Sequence, residues 1–228
     1  MMLNLDNVTL LAICGSNNRL DETKKSMKHC MKQVNFAEHI LFTQEKQDGF
    51  NVATIPRLDL SMYNQFCIEE LNSYIKTDFC LIVQWDGFII DTDYWSNEYL
   101  EYDYIGSPWK GWNFLIGNGG FCLRSKKFLT ESSRIKYDSS AHIKAGIPPT
   151  AFSSGYIAPE DFVLCVLHRK QLLDNGIRFP SPELAYKFST EHQGEPIKSF
   201  NREDITTYKS FGFHGEFNKA AMRKLHEN

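Results

Sequence analysis

Phe79-Cys80-Leu81-Ile82-Val83-Gln84-Trp85-Asp86-Gly87 is the stretch that decides how this chain folds. Five apolar residues in a row, closed by polar ones, suit a strand buried on both faces, as in a parallel sheet. A carboxamide and a carboxylate stand at its exit. Side chains there are held by a rigid strand, and ligands of open α/β sheets bind beyond the carboxyl ends of the strands. Asp86 is therefore either a ligand for a cation and a phosphate group or the start of a Trp-Asp-Gly turn. Gln84 can hydrogen-bond a ribose hydroxyl or phosphate, and Gly87 lets backbone come close to a bound molecule.

Toward the N-terminus, a second apolar run over residues 8–14 predicts a first strand. It ends in Gly15-Ser16-Asn17-Asn18, a loop of turn formers. A helix is expected over about 23–33, a strand over 38–43 and a weaker one over 51–55. Ser61 is the expected cap of a helix to residue 75, with Phe66, Leu71 and Ile75 on one side. Strand–helix steps leading to the Phe79 strand predict an α/β fold, a mostly parallel central sheet flanked by helices.

Beyond Asp86 the pattern loosens. Short helices are expected over 94–100 and 125–133, with strands over 104–105 and 119–123. Residues 138–158, rich in Ser, Gly and Pro, form a long connection of the kind that is often functional. Pro159 opens a helix to about residue 173, closed by Asn175-Gly176. The tail holds Ser210-Phe211-Gly212-Phe213-His214-Gly215, a short strand or turn, then a polar helix.

The bulk numbers fit one domain over residues 1–228. The chain is long enough for a sizeable core, and its 42% apolar and 23% charged residues are ordinary for a globular protein. Seventeen Phe, 10 Tyr and 4 Trp suit a sugar- or base-binding cleft as well as a large core. A formal charge of −3 gives no general drive toward nucleic acid or anionic membrane. The clusters Lys24, Lys25, Lys28 and Arg124, Lys126, Lys127 read as solvated helix faces. Six cysteines without a CxxC pair argue against zinc and for reduced core residues. No basic leader and no long apolar segment opens the chain, so a soluble, cytoplasmic protein without a transmembrane segment is expected.

Other groups can carry chemistry, each with a bland alternative. Asp91 and Asp93 form an acid pair, yet Asp93 suits a helix cap with Asp91 preceding it. Gly117-Asn118-Gly119-Gly120-Phe121 precedes a strand, so it is no dinucleotide fingerprint and lacks a P-loop lysine; it allows backbone amides near a sugar or phosphate, or is a tight turn. Glu160-Asp161 occupies a first helical turn, where the dipole favours acids and also keeps a general base ionised. His214 sits among aromatics and glycines, either a core residue or a ligand. No Ser–His or Cys–His hydrolase pattern is present.

Taken in order, several strings resemble a family of GT-A-like domains catalogued mainly as a domain of unknown function, found in bacterial surface-polysaccharide loci and in viruses. They are Leu81-Ile82-Val83-Gln84-Trp85-Asp86-Gly87-Phe88, Tyr102-Asp103-Tyr104-Ile105-Gly106-Ser107-Pro108-Trp109 and Gly117-Asn118-Gly119-Gly120-Phe121-Cys122-Leu123-Arg124. Pro159-Glu160-Asp161, Phe188-Ser189-Thr190-Glu191 and Phe211-Gly212-Phe213-His214-Gly215 follow, so the match spans about residues 60–215.

The resemblance implies a single GT-A-type domain that transfers a sugar from a nucleoside diphosphate, UDP first, to an acceptor hydroxyl. In that fold a DxD motif ends the fourth strand and holds Mn²⁺ or Mg²⁺ on the donor diphosphate. Asp86 takes that place as metal ligand, Gln84 replaces the first acid, and His214 matches a late histidine ligand. The resemblance makes Asp161 the base, with Glu160 the next candidate, and such a base fits inversion of the anomeric centre. Gly15, Ser16, Asn17, Gln84, Trp85, Asn118, Gly119 and Gly120 would bind the donor. Trp109 and Trp112, with residues 138–158, would form a lid or acceptor platform. Glycan, lipid-linked glycan, protein and modified DNA base all stay open as acceptors. The substitution of Gln84 leaves metal-free transfer open too. Rival readings are a catalytically silent nucleotide- or glycan-binding module and a sugar-nucleotide nucleotidyltransferase, for which Gly15-Ser16-Asn17-Asn18-Arg19 is a poor match.

Overall fold

The structure, a computed structural model, describes residues 2–109, 113, 115–191 and 201–225. Its first half runs β1 (Leu3–Ile13), α1 (Leu20–Gln33), β2 (Val34–Thr43), β3 (Val52–Thr54), α2 (Leu60–Gln65) and β4 (Phe79–Ile82). Then come β5 (Tyr104–Ile105), β6 (Pro108–Trp109), β7 (Leu115–Ile116), β8 (Cys122–Ser125), α3 (Lys126–Ser132), α4 (Ala141–Lys144) and α5 (Glu160–Phe162). The last part holds α6 (Arg169–Asp174), α7 (Pro182–Phe188), β9 (Ser189–Thr190), β10 (Gly212–Phe213) and α8 (Lys219–Arg223).

A six-stranded sheet in the order β3-β2-β1-β4-β8-β5 organises the molecule. The pairings from β3 to β4 are parallel, as expected: α1 returns the chain from β1 to β2, a loop over 44–51 returns it from β2 to β3, and α2 lies between β3 and β4. The sheet is only in part parallel, however: β8 runs antiparallel to both β4 and β5. No crossover helix has to precede an antiparallel strand, and β8 is entered from the Asn118-Gly119-Gly120 turn instead. That turn is also why the strand expected over 119–123 begins at Cys122.

The apolar run from Val8 underestimates β1. Its first residues alternate in burial and pair with β2 alone, whereas Val8–Leu11 pairs with β4 as well and is covered on both faces. α1 buries Thr23, Ser26, Met27 and Cys30 at helical spacing against the sheet. α2 is capped by Asp59, whose carboxylate accepts the Met62 N–H at 2.8 Å, and not by Ser61. It continues through a π-helical turn (Phe66–Glu70) and a 3₁₀ turn (Leu71–Ser73), burying Phe66, Cys67, Ile68 and Leu71. The helix expected from Pro159 is likewise broken: α5 passes into a π-helical turn (Val163–Leu167) before α6.

The expected helix over 94–100 is two 3₁₀ turns, capped by Asp91 and Ser96. Asp91 thus does the capping expected of Asp93, accepting the Asp93 N–H at 2.9 Å. Residues 138–158 are folded around α4 and closed at the base: the Ala158 N–H donates to Ser139 O at 2.7 Å and Tyr137 Oη to Ala158 O at 2.8 Å. Cys14, Cys30, Cys67, Cys80, Cys122 and Cys165 are buried free thiols. Of the second basic cluster only Lys127 is solvated. Arg124 is wholly buried, and Lys126 Nζ donates to Asn72 O and Ile75 O at 2.5 and 2.6 Å.

Two short pairs carry weight despite their size. β6 pairs with β7, and β9 pairs in parallel with β10. An isolated bridge between Ile89 and Gly212 ties β10 to the segment after β4. No helix of the described residues is long and apolar enough to cross a membrane.

Candidate active site

Gln84-Trp85-Asp86-Gly87 is a turn and more than a turn. The Gln84 N–H donates to Gly87 O at 2.9 Å and the Gly87 N–H to Gln84 O at 3.1 Å, which closes it tightly. Ser26 Oγ on α1 donates to Gln84 O at 2.6 Å and anchors it from behind. The Gln84 amide nitrogen donates to Tyr63 Oη at 3.0 Å. Its carbonyl oxygen consequently faces His214, 3.4 Å from Nε2.

His214 is delivered by β10. Its N–H donates to Thr190 O at 3.1 Å, and the Gly215 N–H donates to Asp86 O at 2.9 Å, so strand pair and turn are stitched together. His214 Nε2 lies 3.7 Å from Asp86 Oδ1, and Nδ1 lies 3.4 Å from Glu191 Oε1. Burial alone would lower the imidazole, but the Glu191, Asp86 and Asp161 carboxylates outweigh it and the net direction is upward. Burial pushes the Asp86 carboxyl up, against the pull of His214.

The glycine loop closes over this pair. Asn118 adopts φ 68° and its Oδ1 accepts the Gly120 N–H at 3.1 Å, forming a side-chain-braced turn. A Cβ on Gly120 would stand 2.0 Å from His214 Nε2, and one on Gly119 2.0 Å from Glu160 Oε1. Only glycine permits that approach. The Gly119 N–H donates to Asp161 Oδ2 at 2.7 Å, while Asp161 Oδ1 accepts the Phe162 N–H at 2.8 Å. Burial first, and the Glu160 charge second, push the partly exposed Asp161 carboxyl up to about 6. Glu160 itself is buried at 4% exposure and accepts from Arg124 Nη2 at 2.7 Å.

A cleft of about 390 Å³ opens beside the turn, between the exits of β1 and β4. Gly15, Ser16, Arg19, Tyr63, Gln84 and Trp85 line it. The Arg19 guanidinium stacks 4.2 Å over the Trp85 indole, giving one wall a flat cationic surface. Asn17 does not line the cleft; at φ 59° its Oδ1 accepts from Thr43 Oγ1 at 2.9 Å and holds the loop.

The fold thus brings Gly15, Ser16, Gln84 and Trp85 to one cleft. Asp86, Asn118, Gly119, Gly120, Asp161 and His214 gather at the neighbouring loop. Trp109 stands apart, packed over Gly117, where a Cβ would meet its ring at 2.2 Å. Trp112 lies outside the described residues. Arg19 stands in the sequence only as the end of Gly15-Ser16-Asn17-Asn18-Arg19, with no role as a cleft wall, and Tyr63 sits in no string with its own signal. Glu191 was visible within Phe188-Ser189-Thr190-Glu191 but had no role until β9 placed it beside His214.

A cation is compatible with these residues. Asp86 Oδ1 is buried without a hydrogen-bond partner, and with His214 Nε2 it offers one oxygen and one nitrogen. Among the described residues no group of three or more His, Cys, Asp or Glu side chains is set to hold a metal alone. The remaining positions would fall to phosphate oxygens and water, the usual arrangement for Mg²⁺ at a diphosphate.

A family model described as "Protein of unknown function (DUF5672)" matches residues 50–214. No protein with a curated description matches. Among solved structures, the galactosyltransferase LgtC, in complex with donor and acceptor sugar analogues, is similar with a TM-score of 0.53 at 12% identity, over 96% of this chain and 94% of that one. A glycosyltransferase involved in the glycosylation of the major capsid of PBCV-1 gives 0.48 at 11% identity over 97% and 99%. The apo-form glycosyltransferase GlyE of Streptococcus pneumoniae TIGR4 gives 0.44 at 13% over 72% and 43%. At such identity the LgtC likeness extends to the fold and no further, and the other two scores show less. The fold, a mixed α/β sheet covered by helices, is similar to that of the glycosyltransferase LgtC.

Proposed function

This chain belongs to the family described as protein of unknown function DUF5672, and on that footing we propose that it is a glycosyltransferase that moves a sugar from a nucleoside diphosphate to an acceptor hydroxyl. The observation that carries the reading is Asp86 Oδ1, buried without a hydrogen-bond partner opposite His214 at the turn beside the cleft, with Asp161 bonded to the neighbouring glycine loop. The nucleoside, uridine first, occupies the cleft against Gly15, Ser16 and the Arg19–Trp85 stack. Gln84 and the Asn118-Gly119-Gly120 turn orient the diphosphate and sugar. Asp86 and His214 are the residues that would hold Mn²⁺ or Mg²⁺, which when bound neutralises charge on the departing diphosphate. Asp161 takes the proton of the attacking hydroxyl. Its carboxyl, raised to about 6, is ionised at neutral pH and basic enough to share a proton.

The charge pattern supports the need for a cation. Asp86, Glu191 and Asp161 all act on His214, so a diphosphate entering alone would meet three carboxylates. A thermal-shift panel of UDP-, GDP- and dTDP-sugars, with Mn²⁺ or with chelator, tests the donor. One nucleotide class is expected to stabilise the protein, and only with metal. No stabilisation by any donor would sink the proposal, and equal stabilisation under chelator would remove the metal role of Asp86. Asp161→Asn is expected to bind that donor as wild type does and to lose about 100-fold or more in transfer rate. Donor binding with no turnover in wild type would instead identify a binding module.

A further inference from the structure

We propose that Glu160, anchored by Arg124, is a positioning residue that seats the Gly119 amide on Asp161 and leaves the proton to Asp161 alone. The inference rests on Asp161 being the base. Two neighbouring acids at the start of α5 are chemically equivalent in sequence, and the structure separates them. Glu160 turns inward: its Oε1 accepts from Arg124 Nη2 at 2.7 Å, with the arginine 0% and the glutamate 4% exposed. No acceptor hydroxyl can reach it. Asp161 turns outward and is partly exposed.

The same Glu160 oxygen fills the place a side chain at Gly119 would take, 2.0 Å from the position of its Cβ. Gly119 therefore rests on Glu160, and its N–H is directed to Asp161 Oδ2 at 2.7 Å. From the other side, the Glu160 N–H donates to Asn64 Oδ1 at 3.0 Å, fixing the first residue of α5. This arrangement is a poor way to gain stability. Arg124 Nη1, Glu160 Oε2 and Asn64 Nδ2 are buried without hydrogen-bond partners. An apolar pair in place of a buried ion pair is often as stable or more so. What the ion pair supplies here is a charged support of fixed geometry directly beneath the base.

The charge has its own effect on Asp161. The groups that act on it are Glu160, the Phe162 amide and Cys165 from its own helical run, the Gly119 amide from the loop, Arg124 from β8 and His214 after β10. Of these, the Glu160 carboxylate is the strongest opponent of ionisation, ahead of the opposite pull of Arg124. Neutralising Glu160 therefore makes Asp161 a stronger acid.

The experiment titrates the Asp161 carboxyl by ¹³C NMR in ligand-free wild type, Glu160→Gln and the neutral double variant Arg124→Gln/Glu160→Gln, with Asp161→Asn to assign the signal. The double variant covers the case in which Glu160→Gln alone, leaving Arg124 without its counter-ion, fails to fold. Glu160→Gln is expected to move the midpoint down from about 6 by at least about half a pH unit, and the double variant to move it down by less, because the opposite pull of Arg124 is lost with it. With Mn²⁺ and whichever of the UDP-, GDP- or dTDP-sugars stabilises the wild type, Glu160→Gln should keep transfer within about tenfold while Asp161→Asn loses about 100-fold. An unmoved midpoint overturns the proposal, and so does a folded glutamine variant as inactive as Asp161→Asn. If Asp161→Asn transfers at the wild-type rate, the base assignment is what fails, and the NMR midpoint still decides whether Glu160 controls Asp161.

Discussion

A carboxyl group held above its ordinary pKa weakens the fold wherever it is charged, and Asp161 is such a group. Its ordinary value is 3.8 and its folded value about 6, so the folded state binds the proton more tightly than the unfolded chain. Well below pH 3.8 both states are protonated and nothing is lost. As pH rises from 4 to 6 the unfolded chain ionises first and stability falls; above that the loss stays constant. A shift of this size corresponds to about 2–3 kcal/mol before solvent screening of a partly exposed group. Asparagine cannot ionise but gives up one of two backbone N–H acceptors, worth about 1 kcal/mol. Asp161→Asn is therefore expected to be about 1–2 kcal/mol more stable than wild type at pH 8 and not at pH 4, read by urea unfolding at both. A variant no more stable at pH 8 would show that the site does not hold Asp161 up. Gly120 invites the opposite outcome. A methyl group there would stand 2.0 Å from His214 Nε2, so Gly120→Ala should displace the imidazole. It should cost about 1–3 kcal/mol and abolish the metal-dependent thermal shift by donor. Retention of that shift would mean His214 takes no part in binding.

Among the elements, the smallest pair does the most to assemble the site. β9 and β10 contribute two residues each, yet they set Glu191 and His214 side by side beneath the Gln84 turn. β10 is packed on Phe121 so closely that a Cβ on Gly212 would lie 2.2 Å from the ring, and Phe121 is fully buried with nowhere to move. Gly212→Ala should thus cost about 1–3 kcal/mol in chemical denaturation and weaken donor binding, although residue 212 touches no part of the cleft. Normal donor binding in that variant would show that His214 is positioned without β10. Such pairs also mark where sequence reading stops. A two-residue strand has no period, and the bridge from Ile89 to Gly212 spans most of the chain. The Phe79 strand was legible because burial on both faces makes a continuous apolar run. The first part of β1 was not, because one covered face yields only alternation through Leu3 and Leu5. The direction of β8 is carried by its partner strands and leaves no trace in composition. Arg124 next to Lys126 and Lys127 read as a surface patch, since the sequence cannot show that Glu160, 36 positions later, waits in the core. The site residues were visible as strings, and their division of labour was not.

On the scale of the whole molecule, the loops around His214 gather carboxylates, while the cationic Arg19 stands in the neighbouring cleft. The chain carries a formal net charge of only −3, but Asp86, Glu191 and Asp161 converge on a single histidine, and the buried Arg124 is already committed to Glu160. On the proposed reading, Asp86 and His214 alone would make a weak metal site, since no third His, Cys, Asp or Glu among the described residues joins them, and the carboxylates would repel a diphosphate. Each ligand then supplies what the other lacks: the cation offsets the carboxylates, and the phosphates complete the cation's oxygen shell. The two should bind with positive coupling, and linkage requires the coupling to be reciprocal. In calorimetric titrations, Mn²⁺ is expected to tighten UDP binding by about tenfold or more, and UDP to tighten Mn²⁺ binding by the same factor. Asp86→Asn should shrink both factors together, because it removes the one carboxylate that faces the cation and relieves part of the repulsion felt by UDP alone. UDP binding equally well under chelator, or a coupling unchanged in Asp86→Asn, would place the diphosphate elsewhere and leave the Gln84 turn a structural corner of the sheet.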